Sequence, residues 1–254
     1  MEVSIGEVET RSTIVITRSA DRVVVRLNRP DVRNAINQEM VDDLHAVCAE
    51  LEASPRILII IGGDGVFASG ADIAELRARN STDALKGINT MLFIRIAELP
   101  MPVIAAIDGY ALGGGAELAY AADFRIGTPR VKLGNPETGL GIVAPAGALW
   151  RLRELVGEPL AKEILLAGRV LTAEEARAAQ LLTRISEPDG LLAAAHALAD
   201  EIASKSVQAT IKTKAIMRVD RGPHPQVDLE AQAVLFDSEE KHRRMGEFLE
   251  RRPK

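Results

Sequence analysis

Two five-residue runs, Ile57-Leu58-Ile59-Ile60-Ile61 and Val103-Ile104-Ala105-Ala106-Ile107, constrain this chain more than any other feature. Neither alternates polar with apolar residues, so each reads as a strand covered on both faces. Each ends in a glycine-bearing turn, Gly62-Gly63-Asp64-Gly65 in one case and the run from Gly109 in the other, and leads into a helical pattern. Strands of this kind need helices or a second sheet above and below them, which points to an α/β chain with a parallel arrangement. Ile14-Val15-Ile16 and Val23 to Leu27 read as two more strands joined by a turn near Ala20-Asp21, and Asp123 to Ile126 as a further short strand. Residues 37–53 carry helical spacing that stops at Ser54-Pro55, with Ile36, Met40, Leu44, Val47 and Leu51 on one stripe. The recurrence of strand, glycine turn and helix suggests stacked β-β-α turns with helices outside. Periodicity alone leaves a doubly wound sheet open.

The chain has 254 residues, enough to bury a sizeable core. Aromatic residues are only 3%, so that core must rest on Ala, Leu, Ile and Val. A net charge of -5 argues against a nucleic-acid footprint, which needs a basic face. Cys48 is the single cysteine, so no intrachain disulfide can form and a reducing compartment is expected. Its place beside the apolar stripe reads as a buried structural thiol. Met1-Glu2-Val3-Ser4-Ile5 is too acidic and too weakly apolar for a signal peptide, and no run approaches the ~20 apolar residues of a membrane helix. A cytoplasmic location without membrane contact is therefore expected. Beyond residue 150 the character turns helical. Thr172 and Glu175 form a capping-box pattern, and helices are predicted over 191–204, 206–218 and 226–251, the last long and charged. The expected organisation is an α/β body over 1–190 and a helical region over 191–254.

The sharpest chemical signal is Glu117, which follows Gly113-Gly114-Gly115-Ala116 directly behind the strand at 103–107. A strand, a glycine turn and a helix start bring free backbone N–H groups to one point, and such a point favours a phosphate or a developing oxyanion. A second glycine turn, Phe67-Ala68-Ser69-Gly70-Ala71-Asp72-Ile73, enters a helix near residue 72. Together the two turns can supply a two-donor oxyanion hole, although glycines at tight turns also arise from packing alone. Glu137 lies in the Gly- and Pro-bearing stretch Leu133 to Gly141, where an isolated carboxylate is ordinarily solvated but a functional one is well placed. Glu98, Glu154 and Glu158 read as ordinary surface carboxylates. The four histidines show no metal-ligand spacing, no GxSxG elbow is present, and Gly113 to Gly115 completes neither GxGxxG nor a P-loop.

Taken together, the segments resemble the enoyl-CoA hydratase/isomerase (crotonase) superfamily across essentially the whole chain. The matching pieces are Leu27-Asn28-Arg29-Pro30 with Arg33-Asn34-Ala35, Phe67 to Ile73, Pro102 to Gly109 with the Gly-Gly-Gly-Ala-Glu run, and Pro136-Glu137; the segment from Phe236 to Arg252 is similar to the family's last helix. The resemblance implies a spiral of β-β-α turns followed by a helical trimerisation region, assembled as a trimer or a dimer of trimers. It implies an oxyanion hole from the backbone N–H groups of Ala71 and Gly114, catalytic glutamates at Glu117 and Glu137, and CoA or substrate contacts around Arg33, Ala35, Ala68, Asp72 and Ile73. The implied activity is hydration of a 2-enoyl-CoA, with no metal and no cofactor beyond the CoA of the substrate. A Δ3–Δ2 enoyl-CoA isomerase using Glu137, and a non-catalytic acyl-CoA-binding relative, are the alternatives. Retention of both glutamates favours hydration. Two departures concern the substrate: Ala74 stands where many hydratases carry Lys, and Val143 to Trp150 replaces a stretch usually rich in glycine.

Overall fold

The computed structural model describes residues 7–63 and 65–250. The N-terminal pentapeptide considered above, Asp64 of the glycine-bearing turn and the final two residues of the segment resembling the last family helix lie outside the described residues. Strands β1 (Glu7–Thr10), β2 (Ile14–Arg18) and β3 (Arg22–Leu27) form an antiparallel meander. Helix α1 (Gln38–Ala53) follows, its N-cap Asn37 accepting the Met40 N–H at 3.0 Å. Met40, Leu44, Val47, Cys48 and Leu51 bury the predicted stripe, and burial pushes the Cys48 thiol up to about 12, as expected for an inert core thiol. Ile36 does not join that stripe as helix. It forms an isolated parallel bridge with Ala71, because Asn37 begins the helix one position later.

The two apolar runs are β4 (Ile57–Ile61) and β6 (Val103–Ile107), and every residue of both is buried. Each is followed by a three-residue strand that leaves for a second sheet: β5 (Val66–Ala68) after β4, and β7 (Tyr110–Leu112) after β6. Helices α2 (Ile73–Ala78), α3 (Ser81–Leu85) and α4 (Ile88–Glu98) connect β5 to β6, and α5 (Gly114–Ala121) connects β7 to β8 (Phe124–Gly127). Strand β9 (Lys132–Gly134) then returns to the second sheet. The chain thus alternates between a seven-stranded and a four-stranded sheet, with β3, β4, β6 and β8 mutually parallel in one and β5, β7 and β9 parallel in the other. This is the expected spiral of β-β-α turns, and it rules out the doubly wound sheet. Strand β8 starts one residue later than predicted because Asp123 is taken up at the entry. Its carboxylate accepts the Val103 N–H at 2.7 Å.

Beyond β9 come a π-helical turn at Ala148–Leu152, α6 (Arg153–Val156), α7 (Glu158–Ala167), the two-residue β10 (Leu171–Thr172), α8 (Ala173–Ala178) and β11 (Arg184–Ile185). The capping box at Thr172 and Glu175 forms as predicted. Arg125 is buried beneath α5 and donates to the carbonyl oxygens of Ala122 and Leu181, each at 2.7 Å, placing a cation at the helix C-terminus where the dipole favours it. Helix α9 (Leu191–Ala203) spans the point, between Ala199 and Asp200, at which the chain divides into two compact units. The second unit carries α10 (Val207–Ile216), α11 (Gln226–Phe236) and α12 (Glu239–Glu250). The single long helix predicted from 226 is therefore two. Ser238 breaks it: its hydroxyl accepts the Lys241 N–H at 3.2 Å and donates back to the Leu235 carbonyl, closing one helix and starting the next.

Candidate active site

The first backbone donor is a product of strand geometry. In the parallel bridge between Ile36 and Ala71, the Ile36 N–H binds the Gly70 carbonyl and the Ile36 carbonyl accepts the Asp72 N–H, at 2.8 and 2.9 Å. That pattern consumes the groups on either side of Ala71 and turns the Ala71 N–H away from the bridge. Gly70 reaches this geometry at a φ of 126°, a region closed to other residues. Asp72 then caps α2, accepting the N–H groups of Ala74 and Glu75, and pairs with Arg29 at 3.1 Å. Burial works upward on the Asp72 carboxyl, but Arg29 and the helix N–H groups hold it below its usual range.

The second donor comes from the start of α5. Gly113 is the N-cap at a φ of 53°, Gly114 is the first helical residue, and its N–H has no carbonyl within the helix to bind. Neither Ala71 nor Gly114 donates to a backbone carbonyl among the described residues. A Cβ built on Gly114 would sit 3.3 Å from the Ala71 nitrogen, so the two donor nitrogens lie beside the same small space. Gly115 serves a different purpose. A Cβ there would collide with the Ala68 carbonyl oxygen, so this glycine lets α5 lie directly against β5.

Two carboxyls stand beside that space. Glu117, on the first turn of α5, is only 3% exposed, and its Oε1 accepts the N–H groups of Ala146 at 2.7 Å and Ala148 at 3.2 Å. Burial, reinforced by the charge of Glu137, pushes its pKa up to about 8 against the pull of those two donors. Glu137 opens a 3-10 turn (Glu137–Leu140) and is 9% exposed, so it is buried and not a solvated loop residue. Its Oε1 accepts the Asn135 side-chain amide at 3.3 Å, whereas its Oε2 is buried with no hydrogen-bond partner among the described residues. Burial raises the Glu137 pKa as well. Asn135 is itself fixed, accepting the Tyr120 hydroxyl at 2.9 Å and donating to the Gly113 carbonyl at 3.3 Å. Tyr120 lies three residues after Glu117 on α5, so one helix positions both carboxyls.

The structure brings Ala71, Gly114, Glu117 and Glu137 to one site. Arg33 is exposed at a φ of 53° and Ala35 is half-buried, with the Arg33 carbonyl accepting the Ser69 N–H at 3.1 Å; this ties both to the Ala71 turn. Ile73 is 58% exposed at the start of α2. Ala68 is fully buried, backbone and side chain alike, and packs against Gly115, while the Asp72 carboxylate is committed to its cap and to Arg29. Sequence reasoning did not single out Asn135, Tyr120 or the N–H groups of Ala146 and Ala148. Asn135 carried a signal, a polar residue flanked by Gly134 and Pro136 two positions before a candidate glutamate. The two N–H donors carried none, because backbone groups leave no mark on a sequence.

Two converging N–H donors beside two buried carboxyls define a site for a carbonyl compound that gathers negative charge on oxygen while a proton moves nearby. Residues 18–254 match the family described as enoyl-CoA hydratase/isomerase, and the chain belongs to that family. It is 32% identical over 252 residues to a short-chain-enoyl-CoA hydratase of Clostridium acetobutylicum, covering 95% of this chain and 96% of the relative. It is 34% identical over 248 residues to a crotonyl-CoA hydratase of Syntrophomonas wolfei, covering 94% and 95%. Among solved structures, an enoyl-CoA hydratase of Bacillus anthracis superposes with a TM-score of 0.89 at 30% identity, over 94% of this chain and 97% of that one.

Proposed function

We propose that this protein is an enoyl-CoA hydratase that adds water across the 2,3 double bond of a 2-enoyl-CoA to give the 3-hydroxyacyl-CoA, a step of acyl-CoA degradation. The observation that carries this reading is the pair of buried carboxyls, both with raised pKa, beside the N–H groups of Ala71 and Gly114. The names of the two hydratase relatives support it.

In the proposed cycle the thioester oxygen sits between the two N–H groups. Glu117, with Oε1 held by two backbone donors, uses Oε2 to orient a water and take its proton as the water oxygen bonds to Cβ. The electron pair of the double bond moves toward Cα and the thioester oxygen, and one such donor is worth roughly 3–4 kcal/mol to that charge. Glu137 delivers a proton to Cα. The pair starts and ends with one proton between them, which suits two neighbouring carboxyls that resist double ionisation. CoA enters as part of the substrate and no further cofactor is proposed. Arg33, Ala35 and Ile73 face the CoA moiety in this reading, with the buried Ala68 seating the turn against α5 and Asp72 holding it.

The helical region over 191–254 is proposed to assemble the chain into a trimer or a dimer of trimers. Its exposed Leu229, Val234, Phe236, Met245 and Leu249 support this role. Among the described residues no helix is long and apolar enough to cross a membrane, and action in the cytoplasm is part of the proposal. The test is hydration of crotonyl-CoA by the wild type, with a 3-enoyl-CoA as the competing substrate. Faster double-bond migration than hydration would replace the hydratase reading with the isomerase one.

A further inference from the structure

Asn89, the second residue of α4, has no part in the scheme above, yet its side chain reaches the same space. Its Nδ2 lies 3.5 Å from the point where a Cβ on Gly114 would sit, and that point is 3.3 Å from the Ala71 nitrogen. By covalent geometry the point is also about 2.5 Å from the nitrogen of Gly114 itself. Three nitrogens that carry N–H groups therefore lie within 3.5 Å of one point, at the side of the space proposed for the thioester oxygen. The other end of the Asn89 amide is equally unusual. Asn89 Oδ1 is buried and makes no hydrogen bond among the described residues. A buried acceptor without a partner costs stability, so a packing role for this side chain would be better served by a leucine. The start of α4 is also anchored on the site: the neighbouring Thr90 hydroxyl donates to the Pro145 carbonyl at 3.2 Å, next to the Ala146 N–H that binds Glu117.

We propose that Asn89 is a third, side-chain donor to the thioester oxygen, joining the backbone N–H groups of Ala71 and Gly114. This rests on the acyl-CoA reading of the site but not on hydration as its outcome. In the hydration step no bond to Asn89 forms or breaks; its N–H meets an oxygen whose charge rises as the double-bond electrons shift and falls when Cα is protonated. A hydrogen bond that strengthens with that charge lowers the barrier more than it tightens binding.

The test is the carbonyl stretch of butyryl-CoA, carbon-13 labelled at the thioester carbonyl, bound to wild type, Asn89→Leu and Asn89→Ala, measured by isotope-edited infrared spectroscopy. Butyryl-CoA cannot be hydrated, so this readout stands whether or not the protein is a hydratase. The wild type should lower the bound frequency relative to free thioester, and both variants should move it part of the way back. With crotonyl-CoA, kcat should fall about 10- to 100-fold in both variants with a smaller change in KM, while Asn89→Leu keeps or raises the wild-type thermal midpoint. A bound frequency in both variants equal to that of wild type, or no lowering in the wild type, overturns the proposal. Loss of crotonyl-CoA turnover in the wild type alone, with the frequency shifts intact, leaves Asn89 in place and overturns the hydratase reading instead.

Discussion

Glu117 and Glu137 are the same residue type at one site, and their surroundings differ in one decisive respect. Glu117 sits on a helix whose eight residues are all buried, and one of its oxygens is held by two backbone N–H groups. Glu137 sits on a single 3-10 turn, with one oxygen on a long contact to Asn135 and the other buried and without a partner among the described residues. An unpartnered buried carboxylate oxygen is costly when ionised, and protonation is the cheapest relief when the substrate is absent. A carboxyl held by two donors can afford its charge more readily once a water and a substrate arrive. In the proposed scheme this difference divides the work of the pair: the supported glutamate is assigned the proton of water, and the unsupported one the proton given to Cα.

The largest expected effects break this comparison outright. Glu117→Gln and Glu137→Gln should each lower crotonyl-CoA hydration by about 10²–10⁴-fold. The double variant should be little worse than either single one, because the two groups act in one proton exchange. Circular dichroism should show each protein folded. A single variant retaining near-wild-type turnover would remove that glutamate from the scheme.

The glycines sharpen the comparison between donor and scaffold. Gly114→Ala places a methyl group 3.3 Å from the Ala71 nitrogen, beside the space proposed for the thioester oxygen, and should lower kcat by about 10²–10³-fold with the fold kept. Gly115→Ala meets the Ala68 backbone instead, and should destabilise the fold by about 1–3 kcal/mol or more. Urea denaturation beside steady-state kinetics distinguishes the two. Equal losses of stability in both variants would mean that Gly114, too, is only a packing glycine.

A third prediction follows from the charge of Glu117. Its folded pKa of about 8 lies above its ordinary value of 4.5, so its contribution to stability is full below about 4.5 and is lost as pH rises through 8. Glu117→Gln removes that dependence. The variant should therefore gain on the wild type in thermal midpoint between pH 5 and pH 9, by on the order of 2–4 °C for each kcal/mol relieved. In the proposed scheme Glu117 must be ionised to take the proton of water, so the same titration predicts that wild-type kcat/KM rises with pH up to about 8. An advantage of the variant that shrinks with rising pH would contradict the sign. The smallest effect is expected for Tyr120→Phe, which removes the hydroxyl that holds Asn135, itself hydrogen-bonded to Glu137. About 1 kcal/mol of stability and a several-fold loss of turnover should result, read by the same two assays.

The legible parts of this molecule are those where a long enough stretch of chain obeys one rule. Strands β4 and β6 were readable to the residue because five consecutive buried positions admit only apolar side chains. Helix α1 and the capping box at Thr172 were readable because periodicity and caps are local. Strands β5, β7 and β9 were not, since three residues are too few to show a period, yet they make the second sheet that turns the chain into a spiral. Ile36 has the right spacing for the α1 stripe but pairs with Ala71, a contact across 35 positions that no local pattern encodes. Both glutamates were identifiable from their glycine-bearing contexts and the family resemblance. Their unequal support was not, because it comes from backbone groups at residues 146 and 148 and from an absence of partners at Glu137 Oε2.

The division of labour between the glutamates is tested most directly by exchange of the Cα hydrogens of butyryl-CoA in deuterated water. This reaction needs an enolate and a base at Cα but no water at Cβ. Glu137→Gln should abolish exchange, whereas Glu117→Gln should retain it to within about tenfold while losing hydration of crotonyl-CoA by orders of magnitude. Equal loss of exchange in both variants, or exchange that survives in Glu137→Gln and fails in Glu117→Gln, would contradict the account.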